Sequence, residues 1–316
     1  MPKSLDSVTI AVTGAGGFLG PVVVDALAQR GARVVAIVGP PGQSFRAPRG
    51  AASIAQADIC DLHSLQMLIS SSDMVVHLAG PPSVAESFRR SPEYVRIHVG
   101  GTAALLQACH ATGVQKLVYI SSAQVYGNPT RNPVPEDHLL SPRSPYGAAK
   151  VGAEKLVEAQ VHAFGLKSIV LRPFSLYGPG ASPDSLISRI LQMAQSGAAV
   201  ALQHLECVRD YCFVDDFARA VVQACLLEAA GFEVFNIGTM RGTSVARVAE
   251  TTLEALGVRL PVRESNSPLR PERSEIHELV ADNRRARAIL GWEPIVTLER
   301  GLRVTAGVGA GLSDAA

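Results

Sequence analysis

Net charge is almost missing from this chain: 29 lysines and arginines stand against 28 aspartates and glutamates in 316 residues, a formal balance of +1. No field of one sign exists to gather nucleic acid or an anionic membrane around the molecule, so neither is expected as a partner and any anion site must be local. Cysteines are few. Cys60, Cys109, Cys207, Cys212 and Cys225 are odd in number, scattered, and form no C-x-x-C pair, which argues against a disulfide scaffold and a zinc site and suits a reducing compartment. The histidines show no metal-ligand spacing either, and no metal is expected. Long apolar runs are lacking too: Asp6 and Thr9 interrupt the N-terminal stretch, no secretory leader is read, and nothing approaches the ~20 apolar residues of a membrane helix. A cytoplasmic, soluble protein is expected. Internal repeats and long charge runs are absent. What the chain does have is core-forming material, 47% of its residues, at a length that fits one large α/β domain or two lobes around a cleft.

Short β-branched runs alternate with amphipathic helical segments through the first half, the signature of a parallel sheet with helices on both faces. Strands are expected over residues 8–12, 33–38, 53–56, 74–77, 117–121 and 168–172. Helical patterns lie between them over 21–30, with Val22, Val23, Ala26 and Leu27 on one face, and over 101–112; Gly31 and Gly113 follow them as helix ends prefer. Beyond residue 173 the pattern loosens into helices over 185–196, 214–228 and 245–256, a strand over 234–237, a polar proline-bearing stretch over 261–275 and a last helix over 283–290. The expected fold class is therefore α/β, a doubly wound parallel Rossmann sheet with a smaller C-terminal α/β substrate lobe. The dinucleotide-binding part spans 1–173, with a return of the chain around 207–237; the lobe takes 174–206 and 238–306, and 307–316 reads as a flexible tail.

The first strand runs directly into Thr13-Gly14-Ala15-Gly16-Gly17-Phe18-Leu19-Gly20 and then a helix. Such a G-x-x-G-x-x-G turn leaves no side chain between the helix N-terminus and a pyrophosphate, so backbone N–H groups and the helix dipole can bind it directly. The glycines would equally serve a plain tight bend, but their place after the first strand assigns Gly14, Gly17, Phe18, Leu19 and Gly20 to a dinucleotide. An acidic residue ending the second strand would hold the adenosine ribose and mark NAD; this strand ends Ile37-Val38-Gly39 without one. Arg46 and Arg49 on the next loop could meet a 2′-phosphate or simply be solvated. NAD is expected, with NADP left open. Asp58-Ile59 follows the third strand, where a carboxylate could accept from the adenine amino group or cap a helix.

Tyr146 and Lys150 are four residues apart, hence on one face of a helix. The ammonium can then sit beneath the phenol and the nicotinamide ribose, favouring the phenolate; a tyrosine of ordinary pKa ~10 becomes a usable base near neutrality only with such help. Upstream, Leu117-Val118-Tyr119-Ile120-Ser121-Ser122 is a strand whose C-terminal end carries hydroxyls where α/β sheets place their ligand crevice. Ser122 could hydrogen-bond a substrate hydroxyl while Tyr146 moves its proton.

On these residues the chain resembles the extended short-chain dehydrogenase/reductases, in their sugar-nucleotide epimerase/dehydratase branch, from about residue 8 to 302. Further landmarks are His77-Leu78-Ala79-Gly80, Ser83-Val84-Ala85-Glu86-Ser87, Ser122-Ala123-Gln124-Val125-Tyr126-Gly127, Leu171-Arg172-Pro173-Phe174, Arg209-Asp210-Tyr211 with Val214-Asp215-Asp216, and Leu290-Gly291-Trp292-Glu293-Pro294. The resemblance implies that Tyr146 is the acid/base, Lys150 its electrostatic partner and Ser122 the hydroxyl donor. It places Asp58, Ile59, Leu78, Ala79, Gly80 and Pro173 beside the cofactor. It also implies a nucleotide-sugar substrate held by Ser83, Glu86, Ser122, Ser175, Arg209 and Arg270. The two arginines match diphosphate-binding positions, where a planar guanidinium suits phosphate oxygens, although a salt bridge would use them equally. A homodimer through the helices at 101–112 and 146–160 is implied as well.

The departures narrow the chemistry. Ala123 and Gln124 stand where dehydratases and decarboxylating members carry carboxylates, which disfavours those reactions. His98 replaces the usual Asn before the V-x-G-T turn, as a relay or as a satisfied core group, and Ser175 replaces the Asn of R-x-F-N. The leading expectation is an NDP-sugar 4-epimerase passing through a 4-keto sugar. A one-way NADPH-dependent ketoreductase is the alternative, and a non-catalytic dinucleotide sensor is the alternative of another class.

Overall fold

The computed structural model describes residues 4–228, 231–265 and 270–308; of the expected tail, residues 309–316 lie outside them. In chain order the elements of the first part are β1 (Thr9–Thr13), α1 (Gly20–Ala28), β2 (Arg33–Val38), β3 (Ser53–Gln56), α2 (Leu62–Ile69), β4 (Met74–His77), α3 (Val84–Arg89), α4 (Ser91–Val95), α5 (Gly101–Thr112), β5 (Lys116–Ile120), α6 (Pro145–Phe164) and β6 (Lys167–Pro173). They are followed by β7 (Ser175–Tyr177), α7 (Leu186–Gln195), β8 (Val200–Leu202), β9 (Val208–Phe213), α8 (Val214–Leu226), β10 (Phe232–Ile237), β11 (Gly242–Ser244), α9 (Val245–Leu256), β12 (Val262–Glu264), β13 (Glu278–Leu279) and α10 (Leu298–Thr305).

Seven parallel strands form the main sheet in the order β10-β6-β5-β4-β1-β2-β3. Strands covered on both faces can be apolar at every position, and β5 is buried throughout. On one face Val23, Val24 and Leu27 of α1 pack with Phe217 and Val221 of α8; on the other, Leu65 of α2, Leu105 of α5 and Val157 of α6 pack together. The order reverses between β1 and β4, so the chain leaves their C-terminal ends in opposite directions and a crevice opens there.

A second layer stands over that crevice. β9 is its spine, parallel to β7 and β13 and antiparallel to β11, while β8 and β12 pair beside it. Tyr177, Ile190, Phe213, Val248 and Leu302 close its apolar core. Two buried carboxylates weld it to the main sheet. Asp210 of β9 accepts from Thr239 N and Oγ1, Met240 N and Ala281 N, and Asp216 of α8 accepts from the amides of Ile295 and Val296 while its own carbonyl receives Trp292 Nε1 at 2.8 Å. The Gly291-Trp292-Glu293-Pro294 landmark is thus an anchoring segment. Among the described residues no helix is long and apolar enough to cross a membrane.

The tail end departs from expectation. Residues 283–290 form only a short wide-turned helix, Ala286–Leu290 in π geometry, and the last helix is α10. An internal glycine normally weakens a helix, which hid α10; here a Cβ on Gly301 would stand 2.1 Å from Tyr177 Oη, so close packing requires it.

Candidate active site

The glycine turn sits at the sheet reversal. Gly14 takes φ +70°, and a Cβ there would lie 2.6 Å from the Ala79 amide nitrogen, so the turn from β1 and the segment after β4 touch backbone to backbone. Gly20 packs α1 against the turn, since a Cβ there would fall 2.1 Å from Ala15 O. At Gly17 a Cβ would meet only Gly14 O, at 3.4 Å, which leaves bare backbone facing the open space. Gly14→Ala should therefore cost roughly 1–3 kcal/mol and release bound dinucleotide, read by thermal melting and by the cofactor retained after gel filtration. A variant as stable and as cofactor-loaded as the parent would refute the close approach.

Above the turn lies a cavity of about 1030 Å³, at the upper end for small-ligand sites. Its walls bring together Gly14, Gly17, Phe18, Leu19, Asp58, Ile59, Leu78, Ala79, Gly80 and Pro173 on the sheet side, Ser122, Tyr146 and Lys150 in the middle, and Ser175, Arg209 and Arg270 on the second-layer side. Three of the singled-out residues are used otherwise. Gly20 packs the helix; Ser83 caps α3, its Oγ accepting from Glu86 N at 3.1 Å; and Glu86 pairs with Arg90 at 2.6 Å, so that Val84 and Ala85 present this segment to the cavity.

Ser144 caps α6 by accepting from Gly147 N at 3.1 Å, and Pro145 opens the first turn, which sets Tyr146 and Lys150 on the inward face. Lys150 Nζ donates to Ile120 O at 2.7 Å and lies 5.0 Å from the Tyr119 ring centre and 6.0 Å from that of Tyr146. Burial pulls the Lys150 ammonium down to about 7, partly countered by the Glu154 charge. Burial pushes the Tyr146 phenol up, and a hydrogen bond with Ser122 draws it back. Burial thus disfavours both charged forms, the phenolate and the ammonium, so proton release at the phenol relies on the Ser122 hydrogen bond and on the nearness of Lys150.

His98 lies in a π turn, Arg96–Gly100, with its ring 5.4 Å from that of Tyr146 and Nε2 3.0 Å from Pro81 O. Burial, then Lys150, hold it down to about 3, so the ring is neutral; with Nε2–H toward a carbonyl, Nδ1 is its acceptor. Asp58 accepts from Cys60 N and pairs with Arg96 at 3.2 Å; the Cys60 amide, then Arg96, outweigh burial and hold the carboxyl below the usual range.

On the far wall one carboxylate organises both arginines, and sequence reading missed it. Glu275, 5% exposed, receives Arg209 Nη2 at 2.7 Å, Arg270 Nε at 2.7 Å and Arg270 Nη2 at 2.5 Å. Burial raises its pKa, but Arg270, Arg209 and His204 together bring it below the ordinary value. Its only sequence signal was an acid five residues after Arg270. Tyr211 Oη and Ser121 Oγ are buried polar atoms on the same cavity's residues without a hydrogen-bond partner.

Beyond the end of β2, Val38, Gly39, Gln43 and Ser44 line the wall, with no carboxylate among them. Arg46 is not among the lining residues: its amide donates to Gly16 O at 3.2 Å, while its guanidinium lies against Gly180.

This sheet reversal and its tyrosine–lysine helix are those of an NAD-dependent enzyme of the extended short-chain dehydrogenase/reductase type. Residues 10–238 match the model of the NAD dependent epimerase/dehydratase family. The UDP-glucose 4-epimerase of Streptomyces lividans is 34% identical over 304 residues, covering 90% of each chain. Among solved structures, the UDP-glucose 4-epimerase of Thermotoga maritima with UDP-glucose superposes with a TM-score of 0.87 at 33% identity, covering 95% of this chain and 98% of that one. MoeE5 in complex with UDP-glucuronic acid and NAD superposes with a TM-score of 0.86 at 32% identity, over 95% of this chain and 98% of that one. The chain belongs to the NAD-dependent epimerase/dehydratase family.

Proposed function

We propose that the protein is a UDP-hexose 4-epimerase that uses tightly held NAD. One observation carries the reading: Ser122, Tyr146 and Lys150 line a single cavity with the glycine turn on one side and the Arg209–Glu275–Arg270 cluster on the other, the order that a dinucleotide meeting a nucleotide sugar requires. When bound, NAD supplies reversible hydride acceptance at its nicotinamide. Gly14, Gly17, Phe18 and Leu19 would hold its pyrophosphate, Asp58 and Ile59 its adenine, and Leu78 to Gly80, Pro173 and Lys150 its nicotinamide half. Tyr146 takes the C4 hydroxyl proton with Lys150 stabilising the phenolate, and Ser122 orients that hydroxyl. Arg209 and Arg270 carry the diphosphate, bidentate geometry favouring guanidinium over ammonium; Ser175 contacts it from β7. After the 4-keto sugar turns over, Tyr146 returns the same proton to the C4 oxygen as hydride goes back to the other face of C4, so no second acid is needed. Ala123 and Gln124, where a dehydratase needs carboxylates, support this economy.

NAD is favoured over NADP because Arg46 is drawn to Gly180, leaving the neutral Gln43 and Ser44 to meet the adenosine ribose. Missing acid after β2 favours the second reading, an NADPH-dependent ketoreductase. Denaturing the purified protein should release NAD. The protein should convert UDP-glucose to its C4 epimer with no net change at the nicotinamide absorbance and with none added. Stoichiometric consumption of NADPH would instead establish the reductase. The reading further implies a dimer through the outer faces of α5 and α6, where Ala103, Ala111, Ala159 and Phe164 are exposed; light scattering measures it.

A further inference from the structure

The turn between β8 and β9 gathers donors that the chemistry above does not use. His204, Glu206 and Cys207 bring a ring nitrogen, a carboxylate oxygen and a sulfur within 4.8 Å of one another. His204 Nδ1 lies 3.9 Å from Glu206 Oε1, and Cys207 Sγ lies 3.8 Å from the same oxygen. The backbone is already fixed. Glu264 on β12 accepts from the amides of His204 at 2.6 Å and Leu205 at 3.2 Å, Cys207 N donates to His204 O at 2.9 Å, and His204 is held at φ +51°. On the other side of the ring, His204 Nε2 faces Glu275 Oε2 at 3.9 Å.

We propose that this turn binds a zinc-class divalent cation, with His204 Nδ1, Glu206 and Cys207 Sγ as protein ligands and a water in the fourth position. The donor set selects the metal: thiolate with imidazole suits zinc or cobalt(II), whereas magnesium and calcium want oxygen alone. Distances agree as well. A tetrahedral ion with ligands ~2.0–2.3 Å away separates them by ~3.3–3.8 Å, so the two separations to Glu206, 3.9 and 3.8 Å, close with a shift of a few tenths of an ångström, and the His204–Cys207 pair, within 4.8 Å, closes by a turn of the His204 ring. The Glu206 side chain is 67% exposed and free to make that shift. Glu275 stands 3.9 Å from Nε2 on the side away from Glu206, so its negative charge favours a proton on Nε2 and leaves the Nδ1 lone pair toward the metal. Burial holds the Cys207 thiol up at about 11, and the cation reverses this: the S–H proton leaves to solvent as the sulfur–metal bond forms. Sequence spacing missed the cluster because all three donors fall within one four-residue turn and not in two separated pairs. A bound cation would pin the cavity wall that runs through His204, Cys207 and Arg209.

Titrating the NAD-loaded protein with cobalt(II) tests this without reference to turnover. One cobalt per chain should bind, with a near-ultraviolet thiolate-to-cobalt band and intense visible bands of tetrahedral type, both removed by excess zinc. Cys207→Ser should abolish the thiolate band, whereas Cys60→Ser, at the one cysteine that is not fully buried, should leave it unchanged. Glu206→Gln, an exposed change that spares the fold, should weaken cobalt binding roughly tenfold or more. No thiolate band at millimolar cobalt, a band that survives Cys207→Ser or vanishes in Cys60→Ser, or parental affinity in Glu206→Gln would each overturn the site.

Discussion

Tyr146→Phe should lower turnover by ~10²–10⁴-fold while the protein stays folded and loaded with dinucleotide, because it removes one oxygen and keeps the ring. That ring packs edge-on against Tyr94 and His98, so the phenylalanine retains its contacts and the loss is confined to proton transfer. Lys150→Met separates the electrostatic role from the binding role. Burial raises the phenol and the Ser122 hydrogen bond lowers it; an ammonium 6.0 Å from the ring centre is a further charge that favours the ionised form. Without it, the rising limb of kcat/KM should move from the neutral region toward or beyond pH ~10, so the variant recovers relative to the parent as pH increases. A loss equal at every pH would mean that Lys150 only positions ligand. The parent's own sign differs: its amine, drawn down to about 7 by burial, gives up its charge as pH rises through that value unless the phenolate or a ligand retains the proton. Retained turnover in Tyr146→Phe would displace the tyrosine from the chemistry altogether.

Local features were legible in the sequence and long-range ones were not. Residues 33–38, 53–56 and 74–77 and the helices at 101–112 and 245–256 match the observed elements end to end, because β-branched runs and glycine stops act over neighbouring residues. The same holds for the site's centre: the turn at Gly14 and the i, i+4 pair Tyr146 and Lys150 are each carried by one element. The strands of the second layer, two to six residues long, offer too few alternations to show a period, and α10 hides behind Gly301. Glu275 is the plainest case. Its carboxylate matters only because β13 and β9 run side by side, bringing it to Arg209 across 66 positions of chain. Ser83 and Glu86 show what spacing does not reveal: the first caps α3 and the second pairs with Arg90, contacts that depend on where the helix begins.

Behind the catalytic face, Glu154→Ala should be the most destabilising single change in the helix that carries Tyr146. Glu154, 2% exposed, receives Arg172 Nε at 3.0 Å and Nη2 at 2.7 Å, and Arg172 is itself only 4% exposed. Removing one member of a buried pair leaves the other charge desolvated, at a cost of about 3–5 kcal/mol, whereas replacing both with apolar groups of similar volume is often neutral. A fall in Tm of order 10 °C is expected for the single variant, with most of it regained in Glu154→Leu/Arg172→Met. Arg172 complicates the recovery, since its Nη1 also donates to Tyr126 Oη at 2.8 Å and to Glu136 O at 3.0 Å, and Tyr126 in turn donates to Asn236 Oδ1 at 2.7 Å. If the double variant melts as low as Glu154→Ala, the neutral bonds that tie β6 to β10 outweigh the ion pair. If it recovers, the pair's cost is electrostatic, and Glu154→Gln, which keeps an acceptor but no charge, should fall between them. In both Glu154→Gln and Glu154→Ala the ammonium at Lys150 loses the one charge that supports it, so its protonation should weaken further and activity should decline at a lower pH than in the parent. A pH profile unchanged by Glu154→Gln would show that the carboxylate serves the fold alone.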